Sequence, residues 1–334
     1  MRVLITGATG FVGTHLRRAL LSNSGWDVVG TTFPDKSSPL LDPTRESLVH
    51  LNLLDREATW GVLEKYTPDF IVHLAAQSHV PTSFKDPWQT LENNIFGQLN
   101  LLEGCVALGI KPRTLVVGSG DEYGRARIEE LPLTEDHPLH PENPYSVSKV
   151  AQDVMGFQYH ASYGLPVIRA RPFNHIGPGQ SPRFALPAFA SQIAEIEAGL
   201  REPVLKVGNL KAARDFTDVR DVVRAYHLIL TRGQPGEVYN VASGRAYPIQ
   251  QIVDQLLALS KVPITIQVDP ARYRPVDVPV IYGSAERLRR DTGWEPCIPL
   301  AQTIQDVLNE WRIHVRNAGM TSIAATESRA QGGE

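Results

Sequence analysis

With 334 residues, 42% of them hydrophobic and 21% charged, the chain has the apolar content for one large domain or two intimately joined ones. A formal net charge of -3 offers no basic field for nucleic acid or an anionic membrane surface. Two cysteines, Cys105 and Cys297, argue against a disulfide framework or a cysteine-rich metal centre and favour a reducing, cytoplasmic setting.

No run approaches the roughly 20 apolar residues of a membrane-spanning helix. The chain opens directly on an apolar strand without a charged leader, so a soluble, unprocessed protein is expected. Residues Arg2 to Thr6 read as a short buried strand, followed at once by Gly7, Gly10 and Gly13 and then by a helix through His15 to Leu21. Further strands are predicted at Trp26 to Thr32, Phe70 to Ala75, Thr114 to Gly118 and Pro166 to Ala170. Helices are predicted near Asp55 to Tyr66, Asn93 to Leu108 and Tyr145 to Tyr163. That alternation implies a parallel sheet covered on both faces, an α/β fold of the Rossmann-type doubly wound kind.

Beyond Arg171 the pattern turns to Pro/Gly-rich loops, short strands and helices at Ala185 to Ala198, Ile249 to Ser260 and Leu300 to Arg316. We read 1–170 as the nucleotide-binding domain, 171–316 as a smaller C-terminal substrate lobe interleaved with it, and 317–334 as a mobile tail, rich in Ala, Ser, Gly and charge without periodicity.

The glycine spacing G-x-x-G-x-x-G, between a strand and a helix, is a variant of the dinucleotide fingerprint, where small residues let a pyrophosphate approach a helix amino terminus. The acid that would hold a free adenosine ribose is missing from the end of the second strand. Thr31, Thr32 and Lys36 stand there to meet a 2'-phosphate, with Asp35 a little late, so NADP(H) is preferred and NAD(H) is the alternative. Tyr145 and Lys149, four residues apart, share one helix face, where the ammonium is expected to lower the tyrosine's pKa and make it a proton donor or acceptor. Ser119 closes the fourth predicted strand, at the sheet edge where ligands gather. His73 and His79 read as packed or hydrogen-bonded side chains, and no metal site is expected.

These motifs resemble those of the extended short-chain dehydrogenase/reductases of the nucleotide-sugar epimerase, dehydratase and reductase group, over roughly residues 1–315. The match rests on Gly-Ala-Thr-Gly-Phe-Val-Gly at 7–13, His73-Leu74-Ala75-Ala76, Asn94 in Asn-Asn-Ile-Phe-Gly, Tyr145 with Lys149, Arg-Pro-Phe-Asn at 171–174 and Arg-Asp-Phe-Thr-Asp-Val at 214–219. Within the group, the second half is most similar to the GDP-6-deoxy-D-mannose reductases, through Arg-Pro-Phe-Asn-His-Ile-Gly-Pro-Gly-Gln at 171–180, Gly-Asn-Leu at 208–210 and Arg-Pro-Val-Asp at 274–277.

The resemblance implies that Gly7, Gly10, Phe11, Val12, Gly13, Thr32, Leu74, Ala75 and Ala76 surround the cofactor, with Asn52 and Leu53 on its adenine and Lys149 on the nicotinamide ribose. It puts Ser119 and Tyr145 on the sugar oxygen at C4. Asn174, Asn209, Arg214, Arg274 and Asp277 fall on the sugar nucleotide, a GDP-sugar; Arg183 and Lys211 are either helpers there or solvated loop charges. It also implies a homodimer through the helices at Asn93 to Leu108 and Tyr145 to Tyr163. The expected reaction is reduction of a 4-keto-6-deoxy sugar nucleotide, giving GDP-D-rhamnose. Alternatives are a 4-epimerase or 4,6-dehydratase of the same group, or a non-catalytic dinucleotide sensor. Dehydratases that the chain resembles carry a glutamate two residues before the tyrosine, preceded by an aspartate or serine. Here Asp121 and Gly120 stand at those positions. On an extended stretch Glu122 would point away from Asp121.

Overall fold

Successive side chains of β1 (Arg2–Thr6) leave the strand on opposite sides, so Val3 and Ile5 enter one apolar cluster and Leu4 the other. The computed structural model describes residues 1–33, 38–272 and 278–331, the stretch 319–331 by its backbone alone. After β1 come α1 (Phe11–Leu21), β2 (Asp27–Thr32), β3 (Glu46–His50), α2 (Arg56–Tyr66), β4 (Phe70–His73), α3 (Val80–Lys85) and α4 (Pro87–Leu91). A π-helical turn (Glu92–Phe96) leads into α5 (Gly97–Ala107), β5 (Arg113–Val117), α6 (Pro144–Tyr163), β6 (Val167–Pro172) and β7 (Asn174–Ile176). The remainder is α7 (Ala185–Glu197), β8 (Val204–Val207), β9 (Ala213–Asp218), α8 (Val219–Arg232), β10 (Val238–Val241), β11 (Ala246–Pro248), α9 (Ile249–Ala258), β12 (Thr265–Val268), β13 (Val280–Ile281), α10 (Glu286–Thr292) and α11 (Leu300–Gln331).

Two compact units result. The first comprises Met1–His175, Asp215–Ala246 and Val280–Cys297. Its seven-stranded sheet has the order β10-β6-β5-β4-β1-β2-β3, and every neighbouring pair is parallel. On one face, α1 and α8 cover Val3, Ile5, Val72, Leu115 and Ile168; on the other, α2, α5 and α6 cover Leu4, Val29, Ile71, Val116 and Val167. This is the α/β doubly wound architecture. The strand order reverses between β1 and β4, and the crevice beyond their carboxyl ends is where such sheets bind ligands.

The second unit comprises Ile176–Arg214, Tyr247–Pro279 and Ile298–Glu334. Here β8 and β12 form a parallel pair. Arg312 of α11 grips Glu197 of α7 with two hydrogen bonds of 2.7 Å and donates to the Leu259 carbonyl at 2.7 Å.

Some elements differ from the sequence reading. The short strand β3 has no counterpart among the predicted strands: it is an edge strand whose middle is only half-buried, so it lacks an apolar run. The helix expected over Asn93 to Leu108 starts as a π-turn, which buries Asn94. The last helix does not stop at Arg316 but runs to Gln331, since an Ala-rich stretch holds helical backbone without an apolar stripe.

Candidate active site

The phosphate loop has the tightness its glycines imply. Gly7 adopts φ 68°, and a Cβ there would sit 3.0 Å from the Ala75 backbone; a Cβ on Gly13 would fall 2.3 Å from the Gly7 carbonyl oxygen. Side chains are thereby kept off the start of α1, whose N-cap Gly10 makes no side-chain capping bond and whose first turn carries no acid. A helix amino terminus left open in this way suits a pyrophosphate, so the residues present fit a dinucleotide.

Across the switch point, Thr6 Oγ1 accepts the backbone N–H groups of Leu74 and Ala75, at 3.1 and 3.2 Å, which fixes the Leu74-Ala75 backbone beside the loop. The same hydroxyl is hydrogen-bonded to His73 Nδ1 at 2.9 Å, and His73 Nε2 to Gln152 Nε2 at 3.1 Å. Burial, with the Lys149 cation close by, pushes the pKa of His73 down to about 3. It is a neutral, hydrogen-bonded core histidine, in agreement with the sequence reading.

At the end of β2, Thr32 is buried and its hydroxyl accepts from Thr9 Oγ1 at 3.1 Å, tying this strand end to the phosphate loop. Asp35 and Lys36 lie outside the described residues. Asn52 folds back on its own loop, its Oδ1 accepting from the Leu54 N–H at 3.1 Å, and the Leu53 carbonyl accepts from Asn100 at 2.8 Å.

The catalytic candidates converge at the carboxyl end of β5. Asn143 caps α6 and Pro144 opens it. Buried Asn94 donates to Ser148 Oγ at 2.8 Å, and Ser148 donates to the Tyr145 carbonyl at 2.6 Å, so the first turns of α6 are held from the π-turn side. Tyr145 and Lys149 are both buried on this helix. Lys149 Nζ donates to the Val117 carbonyl at 2.8 Å and lies 5.9 Å from the centre of the Tyr145 ring.

Ser119 follows β5 as the N-cap of a 3-10 turn, Gly120–Tyr123; its Oγ accepts from the Asp121 N–H at 3.1 Å. Burial raises the Tyr145 phenol above its usual pKa and the Asp121 charge raises it further, while a hydrogen bond from Ser119 acts in the opposite direction. The expectation of a lowered tyrosine pKa is therefore corrected: desolvation dominates, with the Lys149 ammonium 5.9 Å from the ring centre. Burial also brings Lys149 down to about 8, with the Glu122 charge opposing.

The stretch after Ser119 is a tight turn rather than an extended strand. Glu122 turns fully inward, where Arg171 donates to Asp153 at 2.6 Å and to the Tyr123 hydroxyl at 3.1 Å. Sequence reasoning does not find this buried set of Glu122, Arg171 and Asp153 as a unit; the charges of the Arg171 motif and of α6 are its only sequence signal.

Among the substrate candidates, Asn174 starts β7 in the first unit, half-buried. The second unit carries exposed Arg183, half-buried Asn209, whose Oδ1 accepts from the Lys211 N–H at 3.0 Å, and half-buried Arg214, which donates to the Ala213 carbonyl at 2.9 Å. Arg274 and Asp277 lie outside the described residues.

A doubly wound sheet with a glycine cradle at its switch point and a Ser-Tyr-Lys set beyond β5 defines a dinucleotide-dependent oxidoreductase of the extended short-chain type. The chain belongs to the GDP-mannose 4,6 dehydratase family, whose model matches residues 4–307. It is 38% identical to the GDP-6-deoxy-D-mannose reductase of Pseudomonas aeruginosa, over 94% of this chain and 98% of that protein. The structure of RMD from Pseudomonas aeruginosa complexed with NADPH superimposes with a TM-score of 0.84 at 37% identity, covering 94% of this chain and 99% of the other. The UDP-glucose 4-epimerase of Thermus thermophilus, in complex with NAD, gives a TM-score of 0.84 at 27% identity, covering 93% and 99%.

Proposed function

We propose that this protein reduces the 4-keto group of GDP-4-keto-6-deoxy-D-mannose to give GDP-6-deoxy-D-mannose, GDP-D-rhamnose, with NADPH as preferred reductant and NADH as the alternative. The observation that carries the reading is the set of Ser119 at the end of β5 and buried Tyr145 on the first turn of α6, with Lys149 anchored one turn on to the Val117 carbonyl. Bound along the glycine cradle, a reduced nicotinamide supplies a hydride. The residues supply the proton and the oxyanion environment: Tyr145, kept protonated by its raised pKa, donates to the oxygen that becomes the C4 alkoxide. Ser119 donates a hydrogen bond to the same oxygen, and the Lys149 cation stabilises the phenolate left behind.

Gly7, Gly10, Phe11, Val12 and Gly13 hold the pyrophosphate, and Thr32, Asn52, Leu53, Leu74, Ala75 and Ala76 line the remainder of the cofactor. Asn174, Arg183, Asn209, Arg214, Arg274 and Asp277 grip the sugar nucleotide, arginine forks being suited to a diphosphate. On the outer side of α6, Val147, Val154 and Phe157 are 42%, 51% and 49% exposed on one apolar face, which supports a homodimer formed through α5 and α6. A cytoplasmic site of action accords with two free cysteines.

Purified protein given the 4-keto sugar nucleotide and NADPH consumes the cofactor stoichiometrically with product. An epimerase acting with retained NAD shows no net consumption, and that result overturns the reading.

A further inference from the structure

Proton donation by Tyr145 does not use the acid beside it. Glu122 has no solvent exposure, its Oε1 accepts the Ser119 backbone N–H at 2.6 Å, and its Oε2 lies 3.3 Å from Arg171 Nε. Arg171 Nε is bonded in turn to Asp153 Oδ2 at 2.6 Å, on α6 one turn beyond Lys149, and the second oxygen of Asp153 accepts from Arg169 at 2.6 Å. Space for the Glu122 carboxylate exists only because residue 118 is glycine: a Cβ there would fall 2.2 Å from Oε1. A buried ionisable side chain is costly unless it is paired and hydrogen-bonded. A short 3-10 turn that needed only to be filled would take an apolar residue at this position.

We propose that Glu122 is a positioning residue for the proton transfer: it holds the Ser119 peptide so that the Ser119 hydroxyl stays against the Tyr145 phenol and the substrate oxygen. The hold works from two sides. Glu122 fixes the Ser119 N–H, and the Asp121 N–H fixes Ser119 Oγ at 3.1 Å, so the only freedom left to the hydroxyl is the direction of its proton. Through Arg171 and Asp153 the same carboxylate ties the turn after β5 to α6, the helix that carries Tyr145 and Lys149. The distance between hydrogen-bond donor and proton donor is thus set by one connected set of buried polar groups, and a shift near ~1 Å in such a site is enough to cost ~10²-fold in rate. This inference rests on the reading that Ser119 and Tyr145 share the C4 oxygen.

The test compares kcat, KM, NADPH affinity and melting temperature for Ser119→Ala and for Glu122→Ala, Glu122→Gln and Glu122→Asp, each Glu122 change made alone and together with Ser119→Ala. Glu122→Ala is expected to lower kcat by about 10- to 100-fold with KM and NADPH affinity within about threefold. Glu122→Gln, which keeps an acceptor for the Ser119 N–H, recovers most of that loss. In the Ser119→Ala background the Glu122 changes cost little more, because the group they position is gone. Should Glu122→Ala fail to fold, Glu122→Asp, which withdraws the oxygen from Ser119 but keeps a carboxyl group in the cavity, carries the same comparison. A Glu122 loss that multiplies in full on top of Ser119→Ala, or that follows melting temperature alone, overturns the positioning role while leaving the reductase intact. Ser119→Ala with unchanged kcat overturns the site reading and this role with it.

Discussion

Lys149 and Tyr145 stand one helical turn apart on α6, yet the ammonium donates to the Val117 carbonyl at 2.8 Å and only overlooks the phenol ring, 5.9 Å from its centre. The cation is thus anchored where it can stabilise a phenolate without being consumed by it. Replacing Tyr145 by Phe removes the hydroxyl and leaves the buried ring. Turnover is expected to fall by about 10²- to 10⁴-fold, the range typical of a positioned proton donor. NADPH titration by fluorescence should give a Kd within a few-fold of the parent; turnover within a few-fold of the parent removes Tyr145 from the mechanism.

The burial that draws Lys149 down to about 8 sets a basic limb on activity. Its charged form is the useful one, so kcat should decline as pH rises through that value. The stability term runs the other way: with a depressed folded pKa, the unfolded chain binds more protons between about 8 and the usual 10.5, and Lys149 contributes stability as pH rises there. A kcat profile flat to pH ~10 contradicts a protonated Lys149 in turnover.

His73 supplies an acid-side counterpart. Its folded pKa of about 3 lies below the ordinary 6.5, so the unfolded chain gains the proton first and stability is lost as pH falls through that window. Between pH ~7 and ~5 the expected loss from this one group is about 2 kcal/mol. Urea melts of the parent and of His73→Gln at both pH values measure it. Equal losses in the two proteins remove His73 as the cause.

Much of this site could be read from local pattern. Gly7, Gly10 and Gly13 follow a buried strand and precede a helix, and Tyr145 with Lys149 sits on a helix that announces itself by Asn143 and Pro144. What escaped depends on partners distant in the chain. β10 is four residues long and joins the sheet by pairing with β6, for which nothing nearby in sequence gives a sign. Glu122 reads as pointing away from Asp121 on an extended stretch; its inward turn depends on the missing side chain at Gly118 and on Arg171 arriving from β6. The raised pKa of Tyr145 likewise follows from burial, which a helix pattern does not quantify.

Cofactor choice turns on the end of β2, where the described residues bring Thr9 and Thr32 together at 3.1 Å and place no acid. NADPH should bind more tightly than NADH. Thr32→Asp offers a ribose acceptor and repels a 2'-phosphate, so the ratio of the two Kd values should move toward NADH by about tenfold or more. Tighter NADH binding by the unaltered protein contradicts this account of the strand end.

Incubated with GDP-mannose and NADP, the protein should not accumulate the 4-keto, 6-deoxy product. Dehydration needs a base at C5 and an acid at C6 besides the redox tyrosine, and the turn that would carry them is Ser119-Gly120-Asp121-Glu122. Glu122 is buried against Arg171, and Gly120 has no acid or hydroxyl to offer. Nor can one simply be added. A Cβ on Gly120 would meet the Phe173 ring at 3.0 Å, and the ring cannot retreat, because its far edge lies 2.3 Å from where a Cβ on Gly283 would be. Phe173 also stacks on Tyr123, with ring centroids 6.1 Å apart and planes inclined by 22°. Gly120→Ser combined with Asp121→Glu should therefore lower the melting temperature and reductase activity without yielding a dehydratase. Adding Phe173→Leu should relieve the clash and recover part of the stability. Steady formation of the ketone by the unaltered protein, followed by its ultraviolet absorbance in alkali, would make the enzyme a dehydratase and remove Gly120 and Phe173 as the reason for its specificity.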